Sequence, residues 1–275
     1  RAECSGVDSK VTMTTTPPAY AYDPERIAKL KAAYVHGGPL QREFYTRDDV
    51  FNADLDRIWR RHWLYAGHAC RIPKAGDWMT WNVGSDTIVI TRGADGDVRA
   101  FHNSCRHRGA RVCSGEHGNS KRLVCPYHAW TYELDGRLRT PTEREFGIHQ
   151  SQLGLKPVAA KNLGDLLFVA LGPDPVPFDA AAAEIAAGMQ HQGFADAKVA
   201  HTKRYVVDAN WKLVFENNRE CYHCDTAHPE YVKGTYDAAR FREAGLKEAE
   251  RQTALANDRF AALGLGHAEA SSVMT

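Results

Sequence analysis

Between Leu64 and Leu171 the sequence breaks into short runs rich in β-branched and aromatic residues: "WMTWNV", "TIVITRG", "RLVCPY", "WTYEL" and "LLFVAL". Turn signals such as "GADGD" and "ELDGR" separate them. Runs of this length and spacing predict an all-β module. Its flanks read differently. "YDPERIAKLKAAYVHGG" predicts a helix with Asp23 as N-cap, Pro24 in the first turn and the Gly37-Gly38 pair as the stop. "TRDDVFNADLDRIWRRHW" predicts a second, with Phe51, Leu55, Ile58 and Trp59 on one face. After the Pro-rich linker "GPDPVPFD", the stretch "AAAAEIAAGMQHQ" is helix-prone. "HTKRYVVDAN" reads as a strand leading into a helix from Asn210 that carries "FENNRECYHCDTAHPE". The expected class is therefore α+β, an all-β domain inserted beside helical and strand material.

Four segments follow from these textures: a leader over 1–12, N-terminal helices over 13–61, the β domain over 62–175 and a second domain beginning at 176. The leader assignment rests on Met13 followed by "TTTPP". The preceding residues lack the charged-then-apolar layout of a signal peptide. Lys and Arg number 35 against 34 Asp and Glu, so charge gives no case for nucleic acid or an anionic membrane as partner. No apolar run approaches the length needed to cross a bilayer. The cysteines after the leader are interleaved with histidines rather than regularly paired. That pattern favours metal chemistry in a reducing, cytoplasmic setting over a disulfide framework.

Two constellations carry that chemistry. In the first, "CRHRGARVC...CPYHAW", Cys105 precedes His107 by two positions and Cys125 precedes His128 by three. Taken singly, each is as well explained as a buried small residue or a satisfied core histidine. Two mixed pairs on consecutive β-loops are not. A Cys₂His₂ zinc site is one reading, although zinc sites more often pair Cys with Cys and His with His. Mixed pairs also suit a 2Fe–2S cluster with both thiolates on one iron and both imidazoles on the other. Cys113 fits no ligand position of that arrangement and reads as a packing residue. In the second constellation Glu220, His223 and His228 stand in an E-x₂-H-x₄-H-P pattern. The Cys-x-x-Cys formed by Cys221 and Cys224 would alone suggest thioredoxin-like redox chemistry, but it lacks a strand-to-helix setting.

At these residues the chain resembles the Rieske non-haem iron oxygenases: C-x-H-R-G and C-P-x-H-x-W for the cluster, then an acid, two residues, His, four residues and His-Pro for the catalytic iron. The resemblance implies a Rieske 2Fe–2S cluster on Cys105, His107, Cys125 and His128. It also implies a mononuclear Fe(II) on His223 and His228, completed by a carboxylate that no acid downstream of His228 matches in context. The second domain would then be an incomplete helix-grip-like catalytic domain. The resemblance further implies that Glu220 bridges a cluster histidine of one subunit, the counterpart of His128, to His223 of its neighbour in a homotrimer. Most of the family has Asp there. "ENNRECYHC" is most similar to the branch acting on quaternary ammonium compounds such as glycine betaine, stachydrine, carnitine and choline. The implied function is O₂-dependent N-demethylation with release of formaldehyde, fed by NAD(P)H through a separate flavin/iron–sulfur reductase. Aromatic-ring hydroxylation, a purely electron-transferring Rieske protein and a zinc-stabilised interaction protein are the competing readings.

Overall fold

The computed structural model describes residues 21–140, 146–189, 192–220, 223–230 and 243–264. The leader over 1–12 lies outside them, as does Cys221. Helix α1 (Pro24–Ala32) starts as its sequence requires. The Asp23 carboxylate accepts from the Glu25 and Arg26 amides at 3.0 and 3.3 Å, and Pro24 occupies the first turn. The helix ends at Ala33, ahead of the glycine pair. Helices α2 (Glu43–Thr46) and α3 (Asp48–Asp54) follow, and α3 widens into a π-helical turn over Leu55–Trp59. The expected apolar face is corrected here. Val50, Ala53 and Leu55 are buried, whereas Phe51 and Ile58 are exposed. Packing of Val50 and Ala53 against Ile27 turns Phe51 outward. The wider π turn takes Ile58 off the 3.6-residue period.

Among the described residues nine strands make the β module: β1 (Leu64–His68), β2 (Asp77–Val83), β3 (Asp86–Arg92), β4 (Val98–His102), β5 (His117–Asn119), β6 (Leu123–Val124), β7 (Thr131–Tyr132), β8 (Pro157–Leu163) and β9 (Leu166–Ala170). Seven form one antiparallel sheet in the order β1-β9-β8-β4-β3-β2-β5, and β6 pairs with β7 as a separate ribbon. Strand β3 explains its continuous "IVI" run, because it is buried on both faces. Val89 enters a core with Phe101, Tyr132 and the cysteines 105, 113 and 125. Ile88 and Ile90 enter another with Ile72, Leu167 and Val169. The first core is the floor beneath both Cys–His loops.

The Pro-rich linker is strapped down. Gly172 and Val176 donate to the Arg60 and Arg61 carbonyls, Trp63 Nε1 donates to the Val176 carbonyl, and Phe178 stacks on Trp63 at 5.1 Å. Helix α4 (Asp179–Met189) follows, then α5 (Trp211–Arg219), the short α6 (Cys224–Ala227) and α7 (Glu243–Ala262). The strand expected in "HTKRYVVDAN" is not formed. Residues 197–207 are irregular, and Val206 is 94% exposed. A strand needs a neighbour to accept its ladder hydrogen bonds, and no described backbone hydrogen bond joins this segment to a strand. Among the described residues no helix is long and apolar enough to cross a membrane.

The N-terminal helices grip α5 at its start. Asp54 is buried, pairs with Lys212 Nζ and accepts from Trp211 Nε1 at 3.1 Å. Asn210 caps α5 and also donates to the Tyr45 carbonyl at 3.1 Å, while Tyr45 Oη donates to the Glu216 carboxylate at 3.0 Å. Trp59 meets Trp211 edge-on at 5.2 Å. Segments about 160 residues apart in sequence are thus joined where the second constellation begins.

Candidate functional site

The two Cys–His loops are built alike. Cys105 N donates to the Ala110 carbonyl at 2.8 Å and Gly109 N to the Cys105 carbonyl at 2.9 Å. In the second loop Cys125 N donates to the Trp130 carbonyl at 2.8 Å and Ala129 N to the Cys125 carbonyl at 3.0 Å. The fourth residue after each cysteine is left-handed, Gly109 at φ 74° and Ala129 at φ 57°. This bend turns each loop back over its own cysteine. Glycine adopts it freely, whereas alanine is held there at a cost on the order of 1 kcal/mol.

The cysteines sit inside and the histidines at the rim. Cys105 and Cys125 are 3% and 2% exposed, while His107 is half-buried and His128 exposed. The imidazole centroids of His107 and His128 lie 4.6 Å apart, and His107 stacks on buried Trp130 at 4.9 Å. Burial pushes the Cys105 thiol up, opposed by hydrogen bonds from Tyr132 and the His107 amide, with Cys125 close enough to raise it further. Among the described residues no three His, Cys, Asp or Glu side chains converge as a site for a single metal ion. The four residues stand instead as two thiols below and two imidazoles above. That division matches the donor set of a two-iron cluster with unlike irons. Cys113 is buried, and burial alone pushes its thiol up to about 12, as suits a packing residue.

Two residues without a metal-ligand pattern complete this site. Tyr132, fully buried, places Oη 3.2 Å from Cys105 Sγ and accepts from the Arg106 amide at 2.9 Å. A thiolate at Cys105 carries no proton, so in that form Oη is the donor to the sulfur. Buried Asn103 braces the loop by accepting from the Val112 and Cys113 amides and donating to the Cys113 carbonyl at 2.7 Å.

The second constellation lies at a break between helices rather than inside one, a correction to the sequence expectation. Helix α5 ends at Arg219, and Glu220 is extended at φ −124°, ψ 157°. His223 then caps the start of α6 and His228 its end. The two rings stand 5.3 Å apart and nearly perpendicular at 81°. A single turn with both histidines as its caps brings a five-residue spacing to one place, where an undistorted helix favours spacings of three or four. Glu220 Oε1 lies 2.6 Å from His223 Nδ1. Cys224 opens α6 and is in no disulfide.

Comparison with known proteins identifies both halves. Residues 62–152 match the Rieske [2Fe-2S] domain, and residues 194–274 match the catalytic domain of the ring hydroxylating alpha subunit. The chain belongs to the Rieske non-haem iron oxygenase alpha subunits, a class whose domains bind a 2Fe–2S cluster and a mononuclear iron. Within that class it resembles the quaternary-ammonium branch. It is 44% identical over 199 residues to the glycine betaine monooxygenase oxygenase subunit of Pseudomonas aeruginosa, covering 72% of this chain and 46% of that protein. To the carnitine monooxygenase oxygenase subunit of Acinetobacter baumannii it is 33% identical over 200 residues, covering 69% and 52%. The crystal structure of the quaternary ammonium Rieske monooxygenase CntA with L-carnitine superposes with a TM-score of 0.62 at 30% identity, covering 70% of this chain and 56% of that one. The chain thus spans about half the length of the curated relatives it matches.

Proposed function

We propose that the whole protein is the oxygenase component of a Rieske monooxygenase that N-demethylates a small betaine-type quaternary ammonium substrate. The observation carrying this reading is that one chain holds both the Glu220–His223 contact and two Cys–His loops of matching build. The similarity to glycine betaine and carnitine monooxygenase subunits supports the substrate class.

In this reading Cys105 and Cys125 hold the buried side of the cluster as thiolates, and His107 and His128 hold its rim through neutral imidazoles. His223 and His228 supply two ligands of the catalytic iron. When bound, the cluster supplies electrons singly and the ferrous iron activates O₂. Tyr132 and the His107 amide direct protons at the Cys105 sulfur, which spreads thiolate charge and favours the reduced cluster. Trp130 fixes the plane of the His107 ring. Glu220 accepts from His223 Nδ1–H, which sets the tautomer and leaves Nε2 to face the metal. A homotrimer, in which Glu220 also meets the neighbour's cluster histidine, a flavin/iron–sulfur reductase drawing on NAD(P)H, and a cytoplasmic setting belong to the same reading. The hydroxylated N-methyl group would leave as formaldehyde, its O–H proton passing to solvent and the nitrogen retaining the electron pair of the broken C–N bond.

The test is product analysis of the full-length protein with iron, a reductase and NADH. Formaldehyde formed in step with demethylated amine is expected from a betaine-type substrate. Ring-hydroxylated product from an aromatic substrate, with no formaldehyde from any betaine, would overturn the substrate class.

A further inference from the structure

Helix α5 ends one residue before Glu220, so its direction sets where that carboxylate stands. No side chain of α5 is buried among the described residues, and Leu213, Val214 and Phe215 are exposed. Directed bonds rather than packing therefore hold it. Contacts of Asn210, Trp211 and Lys212 with Tyr45, Asp54 and Phe44 fix its start. They do not by themselves fix its end. At about 1.5 Å per residue, α5 is a lever about 13 Å long. A tilt of about 10° around a fixed start moves the far end by about 2 Å, which is enough to break a hydrogen bond.

Tyr45 supplies the second anchor. Its carbonyl accepts from Asn210 Nδ2 at 3.1 Å, and its Oη lies 3.0 Å from each carboxylate oxygen of Glu216. The two grip points are about 9 Å apart along the helix axis. One residue of α2 thus holds α5 at its cap and again one turn before Glu220. Burial, then the hydrogen bond to Glu216 and the charge of that carboxylate, push the Tyr45 phenol up, so it keeps its proton and donates. Among the described residues no other hydrogen bond, ion pair or ring contact joins the N-terminal helices to α5 beyond Lys212.

We propose that Tyr45 is a positioning residue for Glu220, fixing the direction of α5 so that the Glu220 carboxylate meets the cluster histidine of the neighbouring subunit. The inference rests on the proposed coupling role of Glu220. Tyr45 acts through the helix, by way of Glu216.

The test uses the full-length protein with both metals in place and the variant Tyr45→Phe. This change keeps the ring and the backbone bond to Asn210 and removes the Oη donor. Amide hydrogen exchange in the last turn of α5 should speed up at least about fivefold, with the amides of β2, β3 and β4 unchanged. Reoxidation of the pre-reduced cluster should slow by about three- to tenfold, with the KM for a betaine substrate unchanged. Glu216→Ala should match Tyr45→Phe, whereas Glu216→Gln, which keeps an acceptor oxygen, should stay near the parent. Added to Glu220→Gln, Tyr45→Phe should cause no further slowing, because both act on one contact. Unchanged exchange in α5, or exchange raised equally in the β strands, would overturn the hold. Full additivity with Glu220→Gln, or a parent rate in Glu216→Ala, would overturn action through Glu220. Failure of the coupling reading is separable: it would show as parent-rate reoxidation in Glu220→Gln alone, with the hold on α5 still decided by exchange.

Discussion

Glu220 Oε1 stands 2.6 Å from Nδ1 of His223, although the two residues belong to no common helix. The chain is extended at Glu220 and helical at His223. A carboxylate so placed reaches one imidazole of its own subunit. In the proposed reading this carboxylate couples the two iron sites.

Cys125→Ser should abolish the cluster and its visible absorption, because a serine oxygen is a poor replacement for a thiolate on iron. Cys113→Ser should keep the absorption and lose about 1–3 kcal/mol of stability from burying a hydroxyl. Spectra and urea unfolding of both variants check the distinction. Retained absorption in Cys125→Ser would remove that residue from the ligand set.

Tyr132→Phe removes the donor to Cys105 Sγ and the acceptor of the Arg106 amide. The expected result is a lower cluster potential, from lost stabilisation of the reduced sulfur, and a cost of about 1–3 kcal/mol for the orphaned amide. Potentiometry paired with unfolding measures both.

Asp54→Ala leaves the Lys212 ammonium, whose side chain is only 12% exposed, without its carboxylate. Removing one partner of a buried pair costs about 3–5 kcal/mol, whereas replacing both by apolar residues of similar volume costs far less. Asp54→Leu/Lys212→Met should therefore recover most of the loss in thermal unfolding. Such an outcome would mark the grip of α3 on α5 as packing with a charged pair inside it.

Burial lowers the His102 pKa from its usual value, with Asp86 opposing. The unfolded chain then takes up the proton first as pH falls. Stability from this residue is complete above about pH 6.5 and is lost as pH drops through the window between the unfolded and folded values. His102→Gln should flatten the decline in urea midpoint between about pH 7 and pH 5; an unchanged decline would assign it to other groups.

The β module and the two groupings of Cys, His and Glu were legible because each is local. Turn signals bound the strands, and Cys-x-His, Cys-x₂-His and Glu-x₂-His put their residues within one loop. Tyr132 and Asn103 were not legible. Tyr132 reaches Cys105 across 27 residues, through a ribbon whose position depends on the whole sheet. Asn103 looks like any turn residue until its three loop partners are placed. The break at Glu220 escaped helical periodicity because nothing in "ENNREC" interrupts helix propensity. Tyr205 to Val207 have strand composition, but composition supplies no neighbouring strand.

The central claim is that Glu220 couples the two iron sites, and the direct measurement is reoxidation of the pre-reduced cluster by O₂ and substrate in full-length Glu220→Gln. The account expects both metals to stay bound and reoxidation to slow by at least about 10–100-fold. Reoxidation at the parent rate with both metals retained would contradict it.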